Sequence, residues 1–410
     1  MTTVTNVPKA LPAFWDKSYE FKAVSLMAIG FGIVGLDRFI INPLFPVMAK
    51  ELGLNYQDLG LISAVLALAW GIASISSGRI SDRLGRKPVI VTSVIIFSLL
   101  VATTGLATGI GSLILIRAVM GLAEGAYVPS SIVTTVEASK PSRVGLNVGI
   151  QQMAAPLVGL GFGPVIAIAL LKILPSWHWV FAVAAIPGLI TAAVMIAVIR
   201  HDPAHSVADH TTENAIGFLH ALGNRNVIIA VLGMCCYLTA AITLSAFMPN
   251  YLTDYLKLTL DQMGGVLAGF GIGAFVGMVA IPAISDRLGR KPVMIGSLLI
   301  EFVALWVLMG IGANPPMLFA ALFVIAFMNA GVIAINVGPL TNASVPPAIA
   351  ATATGLVVGI GEIFGGALAP AVAGGMADAM GIPVILKIAT AAIGLPIPLV
   401  LLGIREPKSS

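Results

Sequence analysis

Six ionisable side chains stand inside otherwise apolar stretches of this 410-residue chain: Asp37, Arg38, Arg117, Glu124, Glu301 and Glu362. A charge at the centre of a bilayer costs at least about 3 kcal/mol, so each is a functional candidate by default. Asp37 and Arg38 are neighbours in Gly35-Leu-Asp-Arg-Phe-Ile-Ile-Asn-Pro43, and on a helix they point ~100° apart. Arg117, Gly121 and Glu124 recur at i, i+4 and i+7, which puts them on one helical face. A guanidinium offers two parallel donors to a carboxylate. A carboxyl group withdrawn from water favours its neutral form, which suits Asp37 and Glu124 to carrying protons. The chemistry implied is anion binding at Arg38 coupled to proton movement. The alternative is an ion-pair network that only holds two helices together. Arg117 is expected to orient Glu124 or backbone groups, and Glu301 to be structural. Glu362, in Gly359-Ile-Gly-Glu-Ile-Phe-Gly-Gly366, is a third proton-coupling candidate, a hydrogen-bond partner for substrate, or a structural residue. Tyr237, Asn329 and Asn336 are uncharged substrate-binding candidates; helix-to-helix hydrogen bonding is the competing role for each.

Bond-breaking chemistry finds little support. There is no phosphate loop, nucleophile elbow or zinc motif, so no enzyme, no metal and no cofactor is expected beyond a coupling proton. Cys235 and Cys236 are adjacent in one apolar span and lack disulfide or ligand spacing. His201, His205 and His210 share a polar segment without a second ligand pattern. The net charge of +4 comes from short basic segments without interleaved aromatics, which argues against nucleic acid.

These residues need a membrane to position them. Only 10% of the chain is charged, 58% is hydrophobic and mean hydropathy is +1.01. Runs such as Val89–Ile116, Val180–Ile199 and Val293–Gly312 exceed the ~20 helical residues that cross ~30 Å of hydrocarbon. Lipid offers the backbone no hydrogen-bond partner, so the spans must be helices. The first run is too long for a signal peptide and contains Asp37 and Arg38, so it reads as a retained helix. Punctuation by Gly, Pro and charge gives twelve spans, centred near Gly35, Leu68, Leu100, Glu124, Leu157, Leu189, Leu238, Gly273, Val303, Ala330, Gly361 and Pro396. The predicted organisation is a tail (1–20), a six-helix bundle (21–200), a polar linker (201–225), a second six-helix bundle (226–404) and a short tail (405–410). Within the linker, Ile216, Phe218, Leu219 and Leu222 suggest a short surface helix.

One decamer occurs twice. Ile80-Ser-Asp-Arg-Leu-Gly-Arg-Lys-Pro-Val89 recurs from Ile284 to Val293, an offset of 204 (284 minus 80). With the N-terminus inside, sixteen basic residues fall in inside segments and four, Lys50, Lys172, Lys257 and Lys387, fall outside. That bias places both termini, and both decamers, in the cytoplasm. Gly85 and Gly289 suit left-handed turns, and Pro88 and Pro292 suit a first helical turn.

Equivalent loops on one side imply a parallel repeat, as in the two halves of major facilitator transporters. Gly78-Arg-Ile-Ser-Asp82-Arg83-Leu-Gly85-Arg86-Lys87 resembles that superfamily's signature loop after helix 2. The second copy matches from Asp286 through Arg287 and Arg290, with Pro282 where the leading glycine would stand. The resemblance covers the whole chain. It implies an all-α membrane fold of two pseudo-symmetric six-helix bundles, and a gate latch at Asp82, Arg83 and Arg86. Within the superfamily the chain resembles the anion:cation symporters, which include organic-acid and sugar-acid transporters. The matching features are the Asp37-Arg38 pair, the following Asn42-Pro43-Leu-Phe-Pro46, and Arg117-Ala-Val-Met-Gly-Leu-Ala-Glu124-Gly. A glutamine on helix 5, Gln151 or Gln152, also fits. Carried over, Arg38 binds a substrate carboxylate, Asp37 and Glu124 carry coupling protons, and Gln152 binds substrate.

The leading expectation is a monomeric secondary transporter in a bacterial inner membrane, with both termini cytoplasmic, that takes up a small organic anion with protons. The rival is a proton antiporter for drugs or metabolites. Gly159-x-x-x-Gly163-Pro164 resembles part of an antiporter signature, but an exporter of hydrophobic cations has less use for Arg38. A receptor without transport activity would be expected to carry an added signalling domain.

Overall fold

The computed structural model describes residues 15–200, 223–346 and 349–404, without the side chains of 75–79, 82, 83 and 351. Most of both expected tails, the linker histidines and the linker's expected surface helix lie outside the described residues. So do the side chains at two of the gate positions, Asp82 and Arg83.

Twelve helices are long and apolar enough to cross a membrane, and no strand occurs among the described residues. They are α1 (Lys17–Leu52), α2 (Tyr56–Leu84), α3 (Arg86–Thr104), α4 (Ile110–Ala138), α5 (Pro141–Ile173) and α6 (Trp177–Val198), then α7 (Arg225–Tyr255), α8 (Leu260–Leu288), α9 (Arg290–Gly310), α10 (Pro315–Ala343), α11 (Thr352–Met380) and α12 (Val384–Gly403). The apolar run Val89–Ile116 is not one span: α3 stops at Thr104 and α4 starts at Ile110, across Gly105 and Gly109. Large apolar side chains such as Leu106, Leu115 and Leu402 stand exposed on the outer surface, as lipid contact requires.

The repeat is physical as well as textual. Helices α2 and α8 are each 29 residues long. Each begins with a capping box, Asn55 with Asp58 and Thr259 with Gln262. Each ends at a glycine with positive φ, Gly85 (φ 85°, ψ 154°) and Gly289 (φ 89°, ψ 148°). That region of backbone space is open to glycine almost alone, so both turns depend on the missing Cβ. Helices α5 and α11 each contain a seven-residue π-helical run, Pro156–Phe162 and Glu362–Leu368, 206 residues apart (362 minus 156). Each run is followed by a proline, Pro164 or Pro370, which leaves a carbonyl four residues earlier without its N–H and favours a widened turn.

The halves meet through α1 with α7, α2 with α11, and α5 with α8. The end carrying Gly85 and Gly289 is here the decamer end, and the opposite one the far end. At the far end Lys172 on α5 pairs with Asp261 on α8 at 2.5 Å. Asp378 on α11 accepts the first amides of α2, Tyr56 N–H at 3.0 Å and Gln57 N–H at 2.9 Å. The Tyr56 hydroxyl donates to Asp254 of α7 at 3.0 Å. Backbones touch as well: a Cβ on Gly271 of α8 would strike the Gly161 backbone of α5, and one on Gly60 of α2 would strike the Pro370 carbonyl.

Candidate functional site

The site is built on a break in α1. Pro43 has no N–H to offer the carbonyl of Phe39, and the helix is interrupted at Ile40. Two carbonyls just before the interruption receive a side chain. Arg117 Nη1 donates to Asp37 O at 3.1 Å and to Arg38 O at 3.4 Å. Arg117 is thus a backbone-orienting residue, as expected, and its Nε and Nη2 find no partner among the described residues.

Helix α4 brings Arg117 and Glu124 in closely because Gly121 and Gly125 carry no side chain. A Cβ on either would strike the Leu66 or Trp70 carbonyl of α2. Asp37, Arg117 and Glu124 are all buried. Asp37 feels the charges of Glu124 and Arg117, and Glu124 those of Arg38 and Arg117. None of the four carboxyl oxygens of Asp37 and Glu124 accepts a hydrogen bond from a described residue. Two acids and Arg117 therefore share one desolvated cluster between α1 and α4, with the partly exposed Arg38 at its edge.

Arg38 points out of that cluster toward the other half. Its Nη2 lies 3.1 Å from Glu362 Oε2, the first residue of the π run in α11. Its guanidinium lies 5.7 Å from the Phe39 ring centroid and 6.0 Å from that of Trp70. A pocket here is lined by Arg38, Asn42, Ser63, Arg117, Ile242 and Ser245, among others. Asn42 Nδ2 crosses to α7 and donates to Ser245 O at 3.0 Å. The pocket thus has walls from both halves, two arginines and the Phe39 ring.

The uncharged candidates divide. Gln151 is fully buried and bonded within its half, to Thr135 at 2.5 Å and Ser131 at 2.7 Å. Asn336 donates to Ala230 O at 2.9 Å. Asn329 donates to Glu301 at 2.9 Å and to Tyr237 O at 3.4 Å, so Glu301, Asn329 and Tyr237 form a second buried polar group across α7, α9 and α10. These three side-chain amides serve helix-to-helix bonding in this state. Gln152 differs: its Oε1 is buried and has no partner among the described residues.

At the decamer end Arg86 pairs with Glu137 at the end of α4, and Arg290 Nη1 donates to Pro339 O of α10 at 2.6 Å. Both contacts tie a helix start to a helix end of its own half. The side chains of Asp286 and Arg287 are exposed at the end of α8. Gly78 lies within α2. Sequence reasoning missed Glu20, whose carboxylate gathers Trp15, Lys140 N–H, Asn147 and Arg143. It also missed Trp70, Asp254 and Asp378.

The family model of the Major Facilitator Superfamily matches residues 27–239 and again 229–410, so the chain belongs to that superfamily. It is 24% identical over 313 residues to the "Hexuronate transporter" of Bacillus subtilis (strain 168), covering 75% of this chain and 71% of that one. It is 27% identical over 360 residues to the "Gentisate transporter" of Corynebacterium glutamicum, covering 83% and 77%. Its fold matches a bacterial homologue of the human lysosomal transporter Spinster, solved in an inward-facing, unoccupied conformation, with a TM-score of 0.74, 17% identity and coverage of 94% and 95%. The chain is a multi-pass membrane transporter and not an enzyme.

Proposed function

We propose that this transporter imports a small organic anion together with protons by alternating access. The observation that carries the reading is the Arg38 cluster: a guanidinium facing the other half, backed by two buried carboxyls that no described residue hydrogen-bonds. Arg38 holds the substrate carboxylate, and Gln152 offers it an additional polar contact. Asp37 and Glu124 take the coupling protons, so the loaded cluster is close to neutral and crosses. The membrane potential contributes about 2.3 kcal/mol per charge per 100 mV, and favours import when protons outnumber substrate charges. Acid substrates in the names of both relatives above support an anion as the cargo.

In this reading the two six-helix halves rock about the α1–α7, α2–α11 and α5–α8 contacts. The decamers lie in the cytoplasm of a bacterial cell, by the charge bias. The state described, joined at the far end, is closed to the outside. The transporter works as a monomer and needs no cofactor other than the proton.

Uptake into proteoliposomes tests this. A panel of aromatic acids and sugar acids is offered with an inward proton gradient imposed. At least one acid is accumulated, the gradient accelerates it, and Arg38→Ala abolishes it. Uptake indifferent to the gradient sinks the coupling, and uptake that survives Arg38→Ala sinks the anion site. Acid expelled against its own gradient by proton entry would mark an antiporter.

A further inference from the structure

Glu362 is left over from that mechanism. It comes from the opposite half and pairs with Arg38 at mid-depth. The repeat does not supply it, since the position 206 residues earlier is Pro156. Room for its carboxylate is built in: a Cβ on Gly366, one turn on, would strike Glu362 Oε2. Other cations are absent from its described neighbours. Helix α2 has no charged residue between Asp58 and Ser74, and α7 presents Cys235, Leu238 and Thr239 to the same π run.

Resting on the reading of Arg38 as the anion site, we propose that Glu362 is a tethered stand-in for the substrate. It occupies Arg38 in the empty carrier, is displaced by the incoming carboxylate, and then accepts a hydrogen bond from a hydroxyl of that same substrate. An unpartnered guanidinium at mid-depth is costly, so a carrier with a bare Arg38 is held back from returning empty. Glu362 supplies the missing anion for that return. Once displaced it remains on its helix beside the substrate, and an ionised carboxylate only accepts hydrogen bonds. A hydroxyl satisfies it, whereas a second carboxylate repels it. Phe39 and Trp70 present ring faces beside Arg38. The site therefore selects hydroxylated monocarboxylates over dicarboxylates.

The test compares wild type, Glu362→Gln, Gly366→Ala and Arg38→Ala by thermal-shift titration with 4-hydroxybenzoate, benzoate and terephthalate. Net uptake and exchange of 4-hydroxybenzoate are followed in proteoliposomes. Removing the competitor tightens benzoate binding to Glu362→Gln at least ~tenfold, because apparent affinity scales with the fraction of free sites. The bias against terephthalate disappears, and net uptake falls while exchange persists. Gly366→Ala crowds Glu362 off Arg38 and shifts benzoate affinity the same way. Suppose Arg38→Ala abolishes binding while Glu362→Gln keeps wild-type affinities, ranking and net uptake: the stand-in alone is wrong. If Arg38→Ala binds carboxylates as wild type does, the anion site beneath it is wrong. Absence of any shift in both wild type and Glu362→Gln overturns both.

Discussion

At the far end the two halves meet twice by the same geometry, while at mid-depth they meet by chemistry that occurs once. Gly60 lies against the Pro370 carbonyl, where a Cβ would clash, and Gly264 faces the Pro164 carbonyl, where a Cβ would sit at an ordinary contact distance of 3.5 Å. Lys172 of α5 meets Asp261 of α8, and Asp378 of α11, 206 residues after Lys172, meets the start of α2. Even the sign is answered: a cation faces a carboxylate in one contact, and a carboxylate faces helix-start amides, with their partial positive charge, in the other. The Arg38–Glu362 pair has no such double, because the positions 206 residues away are Leu244 and Pro156. Contacts that join two rocking bodies are useful in both copies. Contacts that grip one asymmetric cargo are useful in one.

The comparison is open to test, beginning with the centre. Arg117→Ala leaves the Asp37 and Arg38 carbonyls without their charged donor, and hydrogen bonds to a charged group contribute about 1.5–3 kcal/mol each. We expect it to give the largest loss of thermal stability in detergent, and an unchanged melting temperature would show that the centre is not held this way. Next comes the packing of α5 on α8. Gly271→Ala forces a methyl group into the Gly161 backbone, at about 1–3 kcal/mol for overpacking. Spin labels on α5 and α8 should move apart, whereas Gly71→Ala, which meets open space, leaves their distance alone.

Smaller effects separate the two far-end latches. Asp378→Ala removes an acceptor from two helix-start amides, worth about 1 kcal/mol by analogy with other caps. Lys172→Ala breaks a pair in which both side chains are more than half exposed, worth about 0–1 kcal/mol. Equal melting shifts for the two would mean that the repeat's symmetry extends to energetics. Smallest is Asp16, before α1, held below the usual carboxylate range first by the Tyr19 amide and then by Arg200. A value lowered by folding means that its contribution is present above the ordinary carboxylate range and is lost as pH falls through the lowered value. Asp16→Asn should melt slightly below wild type at pH 7, and the gap should close as pH falls through the lowered Asp16 value. A gap that persists in acid would assign Asp16 a role independent of its charge.

The sequence was most legible where physics is local. Apolar length places the twelve helices, the decamer places the repeat, and the cost of buried charge singles out Asp37, Arg38 and Glu124. Partnership was not legible. Arg38 and Glu362 are 324 residues apart, and nothing around either names the other. Gln151, Asn329 and Asn336 looked like Gln152, because composition does not say whether an amide finds a partner on a neighbouring helix. Asp378 was readable in principle. The 206-residue offset that aligns the two π runs also aligns Asp378 with Lys172, and so marks the two far-end contacts as one repeated feature.

The π runs in α5 and α11 have a consequence for heredity. A π turn holds one residue more than an α turn, and is in effect an insertion tolerated inside a helix. Losing one codon between positions 156 and 162 would let that stretch relax to ordinary pitch while the helix on either side keeps its facing, because six residues at ~100° each turn about as far as seven in the wider run. The Lys172–Asp261 contact beyond the run in α5 would then stay in register. The same loss in α11 would leave Pro370 against Gly60. Mutational scans should therefore find these two stretches more forgiving of a single deleted codon than the ordinary helical turns on either side of them.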